Sequence, residues 1–360
     1  MNRAGPLTIA LVIATPGTGW GGMERHTADL AQALSERGHR VHLLAHPAYS
    51  GRFAESVHLH PLSFQLGRNH PWLKHQLRRT LKSIRPDLVH AQGNKAASLI
   101  RTFRQRAVPK LGTLHGTKTS HRAFHQLDGV IGVSREITDS VAHSNTRLIY
   151  NGMQLQNQAG RKSLNKPDIP IPSERPVLLA AGRLEPVKQF DRLIRAWVQA
   201  ECGGRLVILG EGSQRPLLES LIRELGAESR ILLPGHDAHI LPWLGAAAAC
   251  IISSSREGFP YIMVEALLAG CPVLSTPVSG VRDFLPETCV AVTDSVDDIA
   301  SLIRTHFTEA NTAGPDALAA LAASSQAGFQ RAREQLSLET MVSKTEAFYR
   351  DLLASLPQEH

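Results

Sequence analysis

Two acidic residues eight positions apart, Glu257 and Glu265, stand in the segment Arg256-Glu257-Gly258-Phe259-Pro260-Tyr261-Ile262-Met263-Val264-Glu265-Ala266, directly after a strand-like run that ends at Ser253. Pro260 suits the first turn of a helix, which lets Gly258 and Phe259 offer backbone N–H groups to an electron-rich ligand. Glu265 then falls in the second turn, among Ile262, Met263, Val264, Leu267 and Leu268. A lone carboxylate in so apolar a helix is costly unless it faces a cleft or a partner. Ionised, it accepts two hydrogen bonds at once, which matches the vicinal hydroxyls of a ribose. Glu257, on the loop, is placed to meet the hydroxyls of a sugar. Read for stability alone, the two acids would instead form a helix cap and a salt bridge.

Three further groups of residues follow strand-like runs. In Gly182-Arg183-Leu184-Glu185-Pro186-Val187-Lys188 the two cations sit on a strand-to-helix loop. There they can neutralise a diphosphate whose charge grows as it departs, in place of a divalent cation. Gly17-Thr18-Gly19-Trp20-Gly21-Gly22-Met23-Glu24-Arg25 lets backbone approach a ligand closely and opens a helix whose N-terminus favours anions. Thr113-Leu114-His115-Gly116-Thr117 places a neutral hydrogen-bonding imidazole at a strand end, where it can hold a transferred sugar. Asn151-Gly152 and Gly210-Glu211-Gly212 are weaker candidates. The ordinary reading of each is structural: solvated cations, a tight turn, a packed histidine.

Gly17, Gly19 and Gly22 also satisfy Gly-x-Gly-x-x-Gly, the dinucleotide fingerprint. That reading requires an acid at the end of the second strand to hold the adenine ribose. Val41–Ala45 runs instead into His46 and Pro47, which argues against a dehydrogenase.

The elements that must position these residues alternate in type. Thr8–Thr15, Val41–Ala45, Asp87–Ala91, Lys110–Leu114 and Val130–Val133 read as strands of one parallel sheet. Val177–Ala181, Arg205–Leu209, Ile231–Leu233, Cys250–Ser253 and Pro272–Leu274 read as strands of a second, with helical patterns between. Gly38 suits the left-handed cap of the helix that starts near Gly22. Pro167, Pro170 and Pro172 mark a linker over 156–175, so the expected units are 1–155, 156–175, 176–335 and a helical tail, 336–360, returning to the first domain. Two doubly wound α/β domains leave a cleft at the carboxyl ends of their strands, where such sheets bind ligands.

Composition agrees. The 360 residues are 42% hydrophobic and 20% charged, in keeping with two soluble domains. No apolar run reaches the roughly 18 to 20 residues of a membrane span, and the N-terminus lacks a cleavable signal pattern, so a cytoplasmic protein is expected. Cys202, Cys250, Cys271 and Cys289 are widely spaced, and the 17 histidines form no His-Glu-x-x-His pattern, so neither a metal site nor a cofactor is expected.

Taken together, these motifs resemble family 4 of the retaining glycosyltransferases, over almost the whole chain. The resemblance implies the GT-B fold, two Rossmann-like domains facing across a cleft, with an acceptor on the first and a nucleotide sugar, a UDP-sugar above all, on the second. In that family the first Glu of Glu-x7-Glu, here Glu257, contacts the donor sugar, and the second, here Glu265, the nucleotide ribose. Arg183 and Lys188 match its diphosphate-binding pair, although Gln189 stands where the family usually has Gly. Gly21 and Gly22, with Glu24 and Arg25, match a loop beside the diphosphate and acceptor. Gly210, Glu211 and Gly212 match a stretch that lines the base pocket, and Gly182, Gly258, Phe259 and Pro260 complete the donor set. Ser279-Gly280-Val281-Arg282-Asp283 departs from the family's Gly-Gly pair and later Glu; Arg282 either joins the diphosphate clamp or faces solvent. Retention is implied through attack on the sugar's own leaving-group face. GT-B-like epimerases or hydrolases, and a non-catalytic sugar-nucleotide-binding protein, are the alternative readings.

Charge is unevenly divided. Residues 1–150 carry 20 Lys and Arg against 8 Asp and Glu, a balance of +12, whereas the rest carries 19 against 24, or −5. A basic half implies an anionic partner. Between Gly67 and Pro86 six cations stand with no acid, beside the stripe Leu73, Leu77, Leu81 and Ile84. Such a segment either rests its leucines on anionic lipid or packs them on its own sheet and exposes only the cations. Peripheral contact with a membrane that carries a lipid-linked or lipopolysaccharide acceptor follows as an expectation. Nucleic acid does not, because aromatics make up 5% of the chain and no binding module is evident.

Overall fold

The computed structural model describes residues 5–17, 19–103, 108–116, 120–154, 176–307 and 314–356. The chain divides into two compact units: Met1–Met153 together with Ser337–His360, and Gln154–Leu336. The expected linker, 156–175, and Thr117 and Thr18 lie outside the described residues.

In the first unit β1 (Thr8–Ile13), β2 (Arg40–Ala45), β3 (His58–Pro61), β4 (Leu88–Gln92), β5 (Lys110–Leu114), β6 (Gly129–Gly132) and β7 (Thr146–Leu148) pair in parallel, in the order β3-β2-β1-β4-β5-β6-β7. A central parallel strand is covered on both faces and so is apolar throughout. Ile9, Ala10, Leu11, Val12 and Ile13 are all fully buried. Helices α1 (Gly22–Glu36), α2 (Pro71–Ile84), α3 (Gly93–Ile100) and α4 (Arg135–Asp139) lie between the strands.

Several strand limits differ from expectation, and β3 and β7 lie where no strand is expected. The strand expected at Asp87–Ala91 is Leu88–Gln92, because the Asp87 carboxylate accepts the Thr8 amide at 2.8 Å and brackets the start of β1. The strand expected to reach Thr15 stops at Ile13, before the glycine-rich loop. Helix α1 ends as foreseen, with Gly38 left-handed at φ 87°.

The second unit repeats the plan. β8 (Val177–Ala181), β9 (Arg205–Leu209), β10 (Ile231–Gly235), β11 (Ala249–Ile252) and β12 (Val273–Ser275) pair in parallel in the order β10-β9-β8-β11-β12. Between and after them run α5 (Phe190–Ala200), α6 (Arg215–Glu224), α7 (Ile240–Ala246), α8 (Tyr261–Leu268), α9 (Val296–His306) and α10 (Gly314–Gln335). Leu193, Ile194 and Trp197 bury one face of α5, and Trp197 meets Phe307 edge-on at 6.1 Å. Pro260 is the cap of α8 rather than part of its first turn; its ψ of 122° is extended, not helical.

The tail breaks after α10. Ser337 accepts the Thr340 amide at 3.0 Å and starts α11 (Leu338–Ala354), which belongs to the first unit. Phe348 and Tyr349 are fully buried in the core that holds Ile9 and Leu11. Arg37 binds Glu346 at 3.0 Å and Glu339 at 2.6 Å, tying the end of α1 to this helix.

Both sheets are wound in opposite directions from their first strand. The chain order therefore reverses between β1 and β4 in one unit and between β8 and β11 in the other. Crossover connections leave such a reversal point on opposite faces of the sheet, which opens a crevice at the strands' carboxyl ends.

Candidate functional site

In the second unit the reversal point brings together residues that are far apart in sequence. The loop after β8 carries Gly182 to Lys188, and the loop after the adjacent β11 carries Ser253 to Pro260. Lys188 Nζ donates to Glu257 Oε1 at 2.5 Å, and the Ser254 hydroxyl donates to the same oxygen at 2.8 Å. The loops are also joined through backbone: the Ser253 hydroxyl donates to the Lys188 carbonyl at 2.7 Å and the Ser255 amide to the Val187 carbonyl at 3.0 Å. Arg183 is exposed, and among the described residues its guanidinium has neither an ion-pair nor a hydrogen-bond partner.

Glycine is demanded where the β8 and β9 loops touch. The Gly182 amide donates to the Leu209 carbonyl and the Leu184 amide to the Glu211 carbonyl, both at 2.9 Å. Gly210 has φ 142°, and a Cβ there would lie 1.8 Å from the Gly182 carbonyl oxygen; one on Gly212 would lie 2.4 Å from that of Leu184. Glu211 pairs with Arg215 at 3.0 Å and remains largely exposed. Gln189, in the position that usually holds Gly, takes the left-handed conformation at φ 50°, with its amide nitrogen 2.9 Å from Asp294.

Gly258, Phe259 and Pro260 are buried, and Phe259 packs edge-on against Phe284 at 5.8 Å. Glu265 is half-buried in α8 between buried Val264 and Ala266. Its charge reaches Cys250 on β11: burial first, then Cys271, then Glu265 push that thiol well above its ordinary range. Arg282 lies on the surface, paired with Glu287 at 3.1 Å.

In the first unit the glycine-rich loop is organised by Tyr49. Its hydroxyl lies 2.7 Å from Thr15 Oγ1, 3.0 Å from the Gly19 carbonyl and 3.2 Å from Glu24 Oε1. Glu24 in turn accepts the Gly21 amide at 3.0 Å, so this acid caps α1, with Gly22 as its first residue. Trp20 packs edge-on against Tyr49 at 5.8 Å, and the Arg52 guanidinium lies 5.5 Å from its ring centroid. Gly152 is pressed against α11, where a Cβ would come within 2.3 Å of the Ser337 carbonyl oxygen.

His115 follows β5 directly. Its Nε2 is 2.7 Å from Gln92 Oε1, and its ring meets that of buried His26 edge-on at 4.7 Å. Burial, reinforced by the nearby His26 and His90 rings, holds its pKa well below the usual histidine range, so it is neutral. Ser254, Tyr49 and Gln92 are not among the residues that the sequence motifs single out. Ser254 stands in the run Ser253-Ser254-Ser255 beside Glu257, which was a usable signal; Tyr49 and Gln92 carried none.

The apolar stripe of α2 faces inward. Leu73, Leu77 and Leu81 are fully buried, while Arg78, Arg79, Lys82 and Arg85 are exposed and Trp72 is 55% exposed. The leucines therefore pack on their own domain and cannot rest on lipid; only the cations remain outside. Among the described residues no helix is long and apolar enough to cross a membrane.

Two units of this topology, each an α/β Rossmann-like domain, make up the GT-B fold. Residues 20–157 match Glycosyltransferase Family 4 and residues 175–309 match Glycosyl transferases group 1, so the chain belongs to this glycosyltransferase family. It is 27% identical over 278 residues to the lipopolysaccharide core biosynthesis glycosyltransferase LpsE of Rhizobium meliloti, covering 74% of this chain and 78% of that one. It is 31% identical over 166 residues to the N-acetylgalactosamine-N,N'-diacetylbacillosaminyl-diphospho-undecaprenol 4-alpha-N-acetylgalactosaminyltransferase of Campylobacter jejuni; the match covers 46% of this chain and less than half, 44%, of that relative. The crystal structure of Anabaena Alr3699/HepE in complex with UDP-glucose has the same fold, with a TM-score of 0.73 at 19% identity over 97% of this chain and 100% of that one.

Proposed function

We propose that this protein transfers a hexose-type sugar from a UDP-sugar to a lipid-linked or lipopolysaccharide-type glycan, with retention of configuration and without a metal ion. The observation that carries the reading is the meeting of Lys188 and Glu257 at the reversal point of the second sheet, with Arg183 on the same β8 loop. A departing nucleoside diphosphate needs positive charge where its own charge develops, and fixed cations supply it. Arg183 and Lys188 take that role, Glu257 meets the sugar hydroxyls, Glu265 the ribose, and neutral His115 the sugar from the first unit. Gly210 to Gly212 line the base, and Gly21 and Gly22 lie beside the diphosphate and acceptor. The likeness to a UDP-glucose complex supports the donor, and the likeness to LpsE supports the acceptor.

The enzyme works in the cytoplasm, at the inner face of the membrane, where the exposed cations of α2 attract anionic headgroups. Each such residue contributes about 1 kcal/mol near a charged surface, and salt weakens it. Sedimentation with anionic vesicles at low salt tests this: the wild type binds, and Arg78→Glu with Lys82→Glu does not. Failure of the wild type to sediment removes the membrane from the proposal.

The donor is tested by incubating the protein with a panel of UDP- and GDP-sugars and glycolipid acceptors, and assigning the new anomeric centre by NMR. Transfer from a UDP-sugar with the donor's configuration is expected. Inverted product, or sugar released or epimerised with no dependence on acceptor, overturns it.

A further inference from the structure

The strands that carry His115 place a buried polar chain behind it. His90 and Gln92 lie two apart on β4 and so share a face of the sheet; Thr113 pairs with Gln92 across β5 and lies on that face too. All three are buried, at 0%, 1% and 0% exposure, on strands whose other buried positions are Leu88, Val89, Ala91, Leu111, Gly112 and Leu114. Polar side chains in such a place are tolerated only when they satisfy one another.

They do so in an ordered series. His115 Nε2 is 2.7 Å from Gln92 Oε1, an oxygen that can only accept, so the proton sits on Nε2. The Gln92 amide nitrogen faces His90 Nε2 at 3.4 Å, and the Thr113 hydroxyl lies 2.7 Å from that same nitrogen. An amide nitrogen can only donate, so His90 Nε2 is unprotonated; its one lone pair takes chiefly the nearer Thr113 hydroxyl, and the His90 proton is on Nδ1, 2.6 Å from the Tyr349 hydroxyl. Tyr349 is fully buried on α11, 259 residues along the chain from His90. The tail helix thus fixes the far end of a series whose near end is His115.

A neutral imidazole has one donor and one acceptor nitrogen, and a partner on one decides what the other can do. We propose that Gln92, oriented through His90 by Thr113 and Tyr349, is a positioning residue that locks His115 in the Nε2–H form and leaves Nδ1 as a hydrogen-bond acceptor for a hydroxyl of the transferred sugar. The functional half of this rests on the assignment of His115 to the sugar; the tautomer does not. Gln92 touches no reacting atom and acts only through His115.

The tautomer is read directly from long-range proton–nitrogen NMR spectra of protein labelled with [15N]histidine, with the His115 signals identified by their loss in His115→Gln. The wild type is expected to show a protonated Nε2 and an unprotonated Nδ1 at His115. In Gln92→Leu, of similar volume, the His115 signals are expected to move toward a mixture of both forms. A wild-type His115 protonated on Nδ1, or a pattern unchanged in Gln92→Leu, overturns the proposal. Should that variant not fold, the wild-type spectrum alone decides. In transfer assays Gln92→Leu is expected to lower kcat/KM by about 10- to 100-fold, the range for removing the group that orients a working histidine. Unchanged turnover in His115→Gln, beside an Nε2–H wild type, would sink the sugar contact while leaving the positioning relationship standing.

Discussion

Lys188 and Glu257, 69 residues apart, form an ion pair 2.5 Å long whose side chains are only 20% and 18% exposed. The pair exists because β8 and β11 are neighbours at the point where the sheet reverses its winding, so the loops that follow them meet. Each charge is held by the other. Under the proposed function, a bound diphosphate competes for the lysine and leaves the carboxylate for sugar hydroxyls. Lys188→Ala and Glu257→Gln should each lower turnover at least about 10²-fold, the usual loss when a group that stabilises transition-state charge is removed. Acceptor-dependent UDP release measures it, with circular dichroism to show that the fold persists. Rates within threefold of wild type would exclude both roles.

The backbone at Gln189 offers a cleaner physical test. Its φ of 50° lies in the left-handed region, where a Cβ costs roughly 1–2 kcal/mol and glycine pays nothing. The side chain partly offsets this through its 2.9 Å bond to Asp294. Gln189→Ala keeps the strain and loses the bond, so it should be less stable than wild type. Gln189→Gly should exceed Gln189→Ala by about 1 kcal/mol in urea denaturation. Equal stability of the two variants would show that this loop is not left-handed in solution.

A different kind of glycine dependence holds at Gly210. A Cβ there would sit 1.8 Å from the backbone oxygen of Gly182, so the β8 and β9 loops would have to separate. Gly210→Ala should destabilise the second unit by roughly 2–4 kcal/mol and abolish donor binding. Gly226 is the control: it too has positive φ, 59°, but nothing lies within 4 Å of its added Cβ. Gly226→Ala should cost only about 1 kcal/mol and leave the donor site intact. Isothermal titration with UDP, alongside thermal melts, compares the two.

The sequence was most legible where burial is complete. β1, β8 and β9 are almost wholly apolar and covered on both faces, and such runs announce themselves. The edge strands did not. His58–Pro61 is exposed or half-buried along its length and Thr146–Leu148 is half-buried throughout, so neither carries an apolar signal that marks it as a strand. At the site, the glycines and the Glu257 segment were visible because their chemistry is local. The partnership of Lys188 with Glu257, and of His115 with Gln92, His90 and Tyr349, depends on which strands become neighbours and on where the tail helix docks, and neither is written in any local spacing.

The same buried histidines make stability depend on pH. Burial, reinforced by the nearby His26 ring, pushes His90 down to about 3; burial, opposed by the polar side chain of Asn151, pushes His26 down to about 4. Their unfolded pKa is near 6.5, so between that value and the folded one the unfolded chain binds protons that the native chain refuses. Stability from these groups is therefore complete above about pH 6.5 and is lost as pH falls, toward about 4 for His26 and about 3 for His90. Each group steepens the loss by up to about 1.4 kcal/mol per pH unit in that window. Urea denaturation at intervals from pH 7 to pH 4.5 should show the slope, and His90→Gln, which cannot titrate, should reduce it by about one group's share. Parallel curves for the two proteins would mean that His90 is not held neutral in the native state, and would remove the polar series behind His115 together with it.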